Sequence, residues 1–149
     1  MGSTVYWDTS ALLKIYAAET DSSDYLKLLI SQPGDIAVSY LHRVELYYAL
    51  CGKETRGEIQ AGAAKTLFAS FESHIADQRY WEIPWGSDVL EEAQSALDVS
   101  LSSSPPIGLR TLDGLHLGAM LAAKVTTLVT ADNRMRDAAA GLRITCVNP

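Results

Sequence analysis

Four acidic residues, Asp8, Glu45, Asp113 and Asp132, stand where a carboxylate could do chemistry. Asp8 directly follows the β-rich run Thr4–Trp7, and Asp132 follows "TLVTA" in the same way, so both sit where a strand should end. In "SYLHRVELYYAL", Glu45 has Leu41 four residues before it and Tyr48 three residues after it, which puts an acid on an apolar helical face. Asp113 opens "LDGLHLGAMLAAK", a stretch apolar or small almost all round that reads as a buried helix. Each acid also has an ordinary explanation. Aspartate is a favoured helix cap and turn residue, a glutamate can reach past its neighbours to water, and an acid near a helix start complements the dipole.

The set carries more than its members. Carboxylates about 5 Å apart repel by roughly 1–3 kcal/mol per pair at effective dielectrics between 20 and 80, so a converged cluster must protonate or hold a cation. Oxygen-only ligands suit a hard ion, and Mg2+, with Mn2+ as substitute, fits a site of carboxylates, waters and substrate phosphates. Spacing alone leaves convergence open.

The elements that must position these acids alternate. Strands are expected at Thr4–Trp7, "DIAVS", "RYWEIP", Thr127–Thr130 and Arg143–Val147. Helices are expected through Leu12 and Tyr16, over Ser22–Ser31 up to the stop "QPG", and over Leu41–Cys51, Gly57–Ala76, Ser87–Val99, Leu112–Lys124 and Arg134–Ala140. This order predicts one α/β domain over residues 1–149, with about five mainly parallel strands and helices on both faces. Ligands of such sheets bind beyond the carboxyl ends of the strands, where the topology reverses.

Composition narrows the partners. The chain has 149 residues, 48% of them hydrophobic, enough for one full core. No apolar run approaches the length of a membrane span, and no charged segment precedes an apolar one at the start. Cys51 and Cys146 form neither a disulfide framework nor a zinc pattern, so a reducing cytoplasm is expected. With a net charge of −6, binding to a polyanion must rely on local cations.

The pieces "VYWDTSALLKIY", "SYLHRVELYYAL", "LRTLDGLHLGAM" and "LVTADNRM" resemble the successive acidic motifs of PIN-domain ribonucleases, especially the VapC-type toxins of toxin–antitoxin pairs. The likeness spans nearly the whole chain, and is least informative from Gly52 to Pro106. It implies that Asp8, Glu45, Asp113 and Asp132 are the catalytic quartet holding one or two divalent cations, with Ser10 and Thr130 as hydroxyl support. It implies RNA hydrolysis to a 5′-phosphate and a 3′-hydroxyl, an antitoxin partner and a homodimer. Gly114 and Gly118 stand where many relatives have alanine, which could loosen that helix.

Other residues complete the expectations. Lys14, Arg43, Arg110, Arg134 and Arg136 could form a basic rim for an RNA backbone, with scattered solvated charge as the plainer explanation. Arg43 could pair loosely with Glu45. His116, three residues after Asp113, reads as a hydrogen-bonded packing residue more than a catalytic one. Trp7, Trp81 and Trp85 read as core or interface aromatics. Tyr16, Tyr25, Leu29, Tyr47 and Tyr48 are candidate antitoxin surface, and Trp85, Leu90, Leu115 and Met120 a candidate dimer face. A catalytically silent PIN-like module that binds RNA or protein is one alternative. A receiver-like phosphoacceptor domain is weaker, because Asp8 has no acidic neighbour and "TCVNP" no lysine. A dinucleotide site is disfavoured by the lack of G-x-G-x-x-G after the first strand.

Overall fold

The alternating runs of the sequence build a five-stranded, wholly parallel sheet in the computed structural model, which describes residues 3–32 and 34–149. Its strands are β1 (Val5–Trp7), β2 (Ile36–Ser39), β3 (Tyr80–Ile83), β4 (Thr127–Val129) and β5 (Thr145–Cys146). The helices are α1 (Thr9–Tyr16), α2 (Ser22–Ser31), α3 (Tyr40–Thr55), α4 (Ala63–Ala76), α5 (Ser87–Leu101), α6 (Thr111–Ala122) and α7 (Asn133–Gly141). The expected fold class is therefore observed. Among the described residues, no helix is long and apolar enough to cross a membrane.

Strand order is β3-β2-β1-β4-β5. The chain winds outward from β1 through β2 to β3, then returns to the other side of β1 for β4 and β5. The reversal point lies between β1 and β4, where Trp7 pairs with Val129. Asp8 and Thr130 follow side by side at the carboxyl ends of these strands, where a ligand crevice is expected.

Alternation along β1 divides the core. Tyr6 faces a cluster with Ile83, Val89, Leu117, Met120 and Leu128, whereas Val5 and Trp7 face one with Leu12, Leu46, Leu50 and Phe71. All three β1 side chains are buried, as a central parallel strand requires.

One helix differs from expectation. Helix α4 begins at Ala63 and not near Gly57, because Gly57 and Gly62 take left-handed φ values of +72° and +85° and break the run. The Glu54 carboxylate closes the new start by accepting from Ala64 N at 3.0 Å. The other bounds shift by a few residues at most. Of the "QPG" stop after α2, Pro33 lies outside the described residues.

Gly118 explains how α6 fits its neighbour. A Cβ there would lie 2.5 Å from Val89 O and 2.8 Å from Ala93 N, so its absence lets α5 and α6 approach closely. At Gly114 the nearest such atom is 3.9 Å away, leaving room for a methyl group. The expected loosening of α6 is thus corrected at Gly118, which tightens the helix pair.

Candidate acidic active site

Asp8 is the N-cap of α1, and its Oδ1 accepts from Ala11 N at 3.0 Å. The cap explanation is therefore true, but it accounts for only part of the contacts. Ser10 Oγ donates to the same oxygen at 2.7 Å, and Thr130 Oγ1 donates to Oδ2 at 2.5 Å. Each hydroxyl also accepts from the β4–α7 turn, Ser10 from Ala131 N and Thr130 from Asp132 N, both at 3.0 Å. Ser10 and Thr130 thus tie the ends of β1 and β4 together around a carboxylate only 3% exposed. Burial pushes the Asp8 carboxyl above its usual range, against the opposing hydrogen bonds of Thr130, Ser10 and Ala11 N and the nearby His116.

Asp132 caps α7, its Oδ1 accepting from Arg134 N at 2.8 Å and Met135 N at 3.3 Å. Its Oδ2 accepts from Arg110 Nη2 at 2.7 Å, while Arg110 Nε donates to Asp113 Oδ2 at 2.9 Å. One guanidinium therefore spans two of the four acids. Asp113 is buried in the first turn of α6, which Gly118 helps to seat against α5.

Glu45, on α3, accepts from Thr9 Oγ1 at 3.0 Å and makes a close hydrogen bond with His116 Nε2, both through Oε1. Burial raises its pKa, but the hydrogen bond and charge of His116 and the Thr9 hydroxyl outweigh it, so the carboxyl lies below its usual range. Behind it, His116 Nδ1 lies 2.6 Å from Tyr6 Oη, which donates to Ser39 Oγ at 3.0 Å. Ser39 N donates to His42 Nδ1 at 3.0 Å, closing a capping box at the start of α3. His42, fully buried, is driven down to about 3, chiefly by desolvation and then by the charge of His116.

The four acids thus face the same end of the sheet through shared partners: Asp8 and Asp132 through Thr130, Asp132 and Asp113 through Arg110. Glu45 joins through Thr9, next to Asp8, and His116, on the Asp113 helix. Two open clefts flank them. One is lined by Arg110, Asp132, Arg134 and Asp137 with the loop 105–108, and the other, more apolar, by Thr9, Leu13, Val44, Glu45, Tyr48 and Leu112. Among the described residues, no three His, Cys, Asp or Glu side chains are drawn together closely enough to hold an ion in this arrangement. The cationic group between Asp113 and Asp132 is Arg110, and a guanidinium bridging two carboxylates marks a place where a cation fits. The donor chemistry, all carboxylate and hydroxyl, suits Mg2+ or Mn2+.

The basic rim is smaller than expected. Lys14 is buried and paired with Glu19 at 2.6 Å and Asp21 at 2.7 Å, so it is not a rim residue. Arg43 pairs with Glu82 at 2.7 Å, not with Glu45, and also approaches Glu72. Arg136 donates to Thr130 O and Asn133 Oδ1. Arg134 is exposed and makes no ion pair among the described residues. Trp7 is a core residue, as expected, whereas Trp81 is partly exposed. Tyr25 and Met120 are buried, which removes them from the candidate antitoxin and dimer surfaces respectively. Thr9, Tyr6 and the bridging role of Arg110 are not among the residues expected from the sequence. The first hydroxyl of "DTS" is the available signal for Thr9; a tyrosine inside a strand signals only strand packing.

The PIN domain family profile matches residues 5–141. The chain is 31% identical over 147 residues to ribonuclease VapC46 of Mycobacterium tuberculosis, covering 97% of each, and 28% identical over 136 residues to ribonuclease VapC47 of the same species, covering 88% of this chain and 86% of that protein. Among solved structures, VapBC2 from Rickettsia felis, bound to a promoter DNA fragment, matches with a TM-score of 0.63 and 14% identity over 98% of both chains. The Mycobacterium tuberculosis toxin VapC20, which cleaves the sarcin-ricin loop, matches with a TM-score of 0.60 and 16% identity over 90% of this chain and 94% of that one. At these identities the structural likeness is one of fold.

Proposed function

Because the chain belongs to the PIN domain family and resembles the VapC ribonucleases, we propose that it is a divalent-metal-dependent endoribonuclease and the toxin of a toxin–antitoxin pair. The observation that supports this reading is that Asp8, Glu45, Asp113 and Asp132 are linked through Thr130, Arg110, Thr9 and His116 at the end of the sheet where the β1/β4 reversal lies, with the Arg110 guanidinium seated between two of them. Asp8, Glu45, Asp113 and Asp132 would hold Mg2+ or Mn2+. A bound ion of this kind supplies Lewis acidity toward a phosphodiester and a water of lowered pKa.

The chain's own groups do the positioning. Ser10 and Thr130 fix both oxygens of Asp8, so this carboxylate is oriented before any ion arrives. Thr9 fixes Glu45 from the same helix turn. Arg110 and Arg134 border the cleft where an RNA backbone would lie, and Arg110, once displaced from the two acids, is free to pair with a phosphate.

The antitoxin would be a protein with an amphipathic segment that covers Tyr48, Val44 and Leu112, all exposed beside Glu45, and offers a basic side chain to the acids. A homodimer would use α5, where Leu90, Leu97 and Leu101 are exposed. The cell compartment that fits these partners is the cytoplasm.

The test is incubation of the purified chain with end-labelled RNA, with Mg2+, with Mn2+ and with chelator, followed by mapping of the product ends. Internal cuts that need the ion and leave a 5′-phosphate support the proposal. Ion-independent cuts would contradict the metal dependence, and tight RNA binding without cleavage would favour the silent binding module.

A further inference from the structure

The partners of Glu45 are divided unevenly between its two oxygens. Oε1 receives both Thr9 Oγ1 and His116 Nε2, whereas Oε2 takes no hydrogen bond among the described residues. A carboxylate held at one oxygen presents the other in a fixed direction. An ionised carboxylate only accepts, so the proton in the contact with His116 is on Nε2. The ring is itself held from behind, with Nδ1 2.6 Å from Tyr6 Oη, and Tyr6 in turn donates to Ser39 at the start of the helix that carries Glu45. His116 is 2% exposed and Tyr6 fully buried, so water does not compete for these contacts.

We propose that His116, braced by Tyr6, is a positioning residue that aims the free oxygen of Glu45 at the cation. The inference rests on the reading of Glu45 as a metal ligand. It assigns His116 no contact with RNA and no proton transfer. The same chain of groups connects β1, which leads into Asp8, with α3, which carries Glu45, and α6, which carries Asp113, so one hydrogen-bonded path registers three of the acids against each other. Any buried imidazole needs polar partners as well as its edge-to-face neighbours, His42 at 5.1 Å and Tyr6 at 5.8 Å; what points to positioning is that one partner is the Glu45 carboxylate and the other reaches Ser39 at the start of the helix that carries it.

The experiment is calorimetric titration of Mn2+ into the metal-free chain and its variants, with thermal melts and the 15N ring spectrum of His116 recorded beside it. Partners of this kind typically change metal affinity by about 10–100-fold. His116→Leu should therefore weaken Mn2+ binding by about tenfold or more. His116→Gln, whose amide N–H replaces Nε2–H, should recover most of it. Tyr6→Phe, which removes one hydroxyl from an otherwise intact core, should shift the His116 ring nitrogens and weaken binding by several-fold. Should His116→Leu fail to fold, Tyr6→Phe and His116→Gln decide. Parental affinity in folded His116→Leu or in Tyr6→Phe, with Glu45→Gln impaired, would overturn the positioning role alone. Parental affinity in Glu45→Gln would overturn the ligand reading beneath it.

Discussion

Arg110 and Asp132, 22 positions apart, meet at 2.7 Å, and the same guanidinium holds Asp113 at 2.9 Å. The chain thus seats one of its own cations between two acids proposed to hold a metal. Arg110 is 63% exposed, so the contact is open to exchange.

Removing this cation should help a metal to bind. Ion pairs made by a solvent-exposed guanidinium are each worth about 0.2–1 kcal/mol, so Arg110→Ala should tighten Mn2+ binding by about 2- to 30-fold in a calorimetric titration. Weaker binding by this variant would show that Arg110 does not compete with the ion. If Arg110 then contacts phosphate, the same variant should also raise the KM for RNA.

The glycines of α6 should separate cleanly. Gly118→Ala drives a methyl group into the Val89 carbonyl and should cost about 1–3 kcal/mol in a denaturant melt, as overpacking does. Gly114→Ala meets Ala93 O only at ordinary contact distance and should be neutral or stabilising by up to about 1 kcal/mol, from helix propensity.

Acid should act through His42. Its folded pKa, about 3, lies below the ordinary value of about 6.5, so the unfolded chain takes up a proton that the folded one refuses. This group's contribution is intact above about pH 6.5 and falls as the pH drops toward 3, by up to about 5 kcal/mol. In urea melts from pH 7 to 4, His42→Gln should lose stability less steeply than the parent. An identical slope would show that His42 is not the group responsible.

Asp8 should behave in the opposite sense. Burial raises its carboxyl above the ordinary value, so without metal its ionisation opposes folding. The penalty is absent below about pH 4 and complete above the raised value. Asp8→Asn keeps an oxygen for the α1 cap and loses the charge. The metal-free variant should melt at the parental temperature or higher at pH 7, with any difference closing on acidification, and Mg2+ should stabilise it less than the parent.

The places of the four acids in the fold were legible in the sequence, for physical reasons. Asp8 and Asp132 each follow an apolar run, and a carboxylate directly after a strand in an alternating chain can only lie at the sheet's carboxyl edge. Glu45 and Asp113 interrupt apolar helical faces. The contacts made across the fold were less accessible. Which hydroxyl of "DTS" serves which acid depends on the first turn of α1, where Ser10 turns toward Asp8 and Thr9 toward Glu45. Lys14 reads as an exposed cation until the 18–21 loop folds over it and brings Glu19 and Asp21 onto its ammonium. The start of α4 rests on two backbone conformations that only the glycine positions hint at.

The most direct test of a metal-dependent quartet is Mg2+-dependent cleavage of one labelled RNA by the parent and by Asp8→Asn, run with a melt of each protein. The parent should cleave with Mg2+ and stop in excess chelator. Folded Asp8→Asn should be slower by about 100-fold or more, the usual scale for losing one preorganised electrostatic group. Near-parental cleavage by the folded variant, or cleavage unchanged in chelator, would contradict the mechanism.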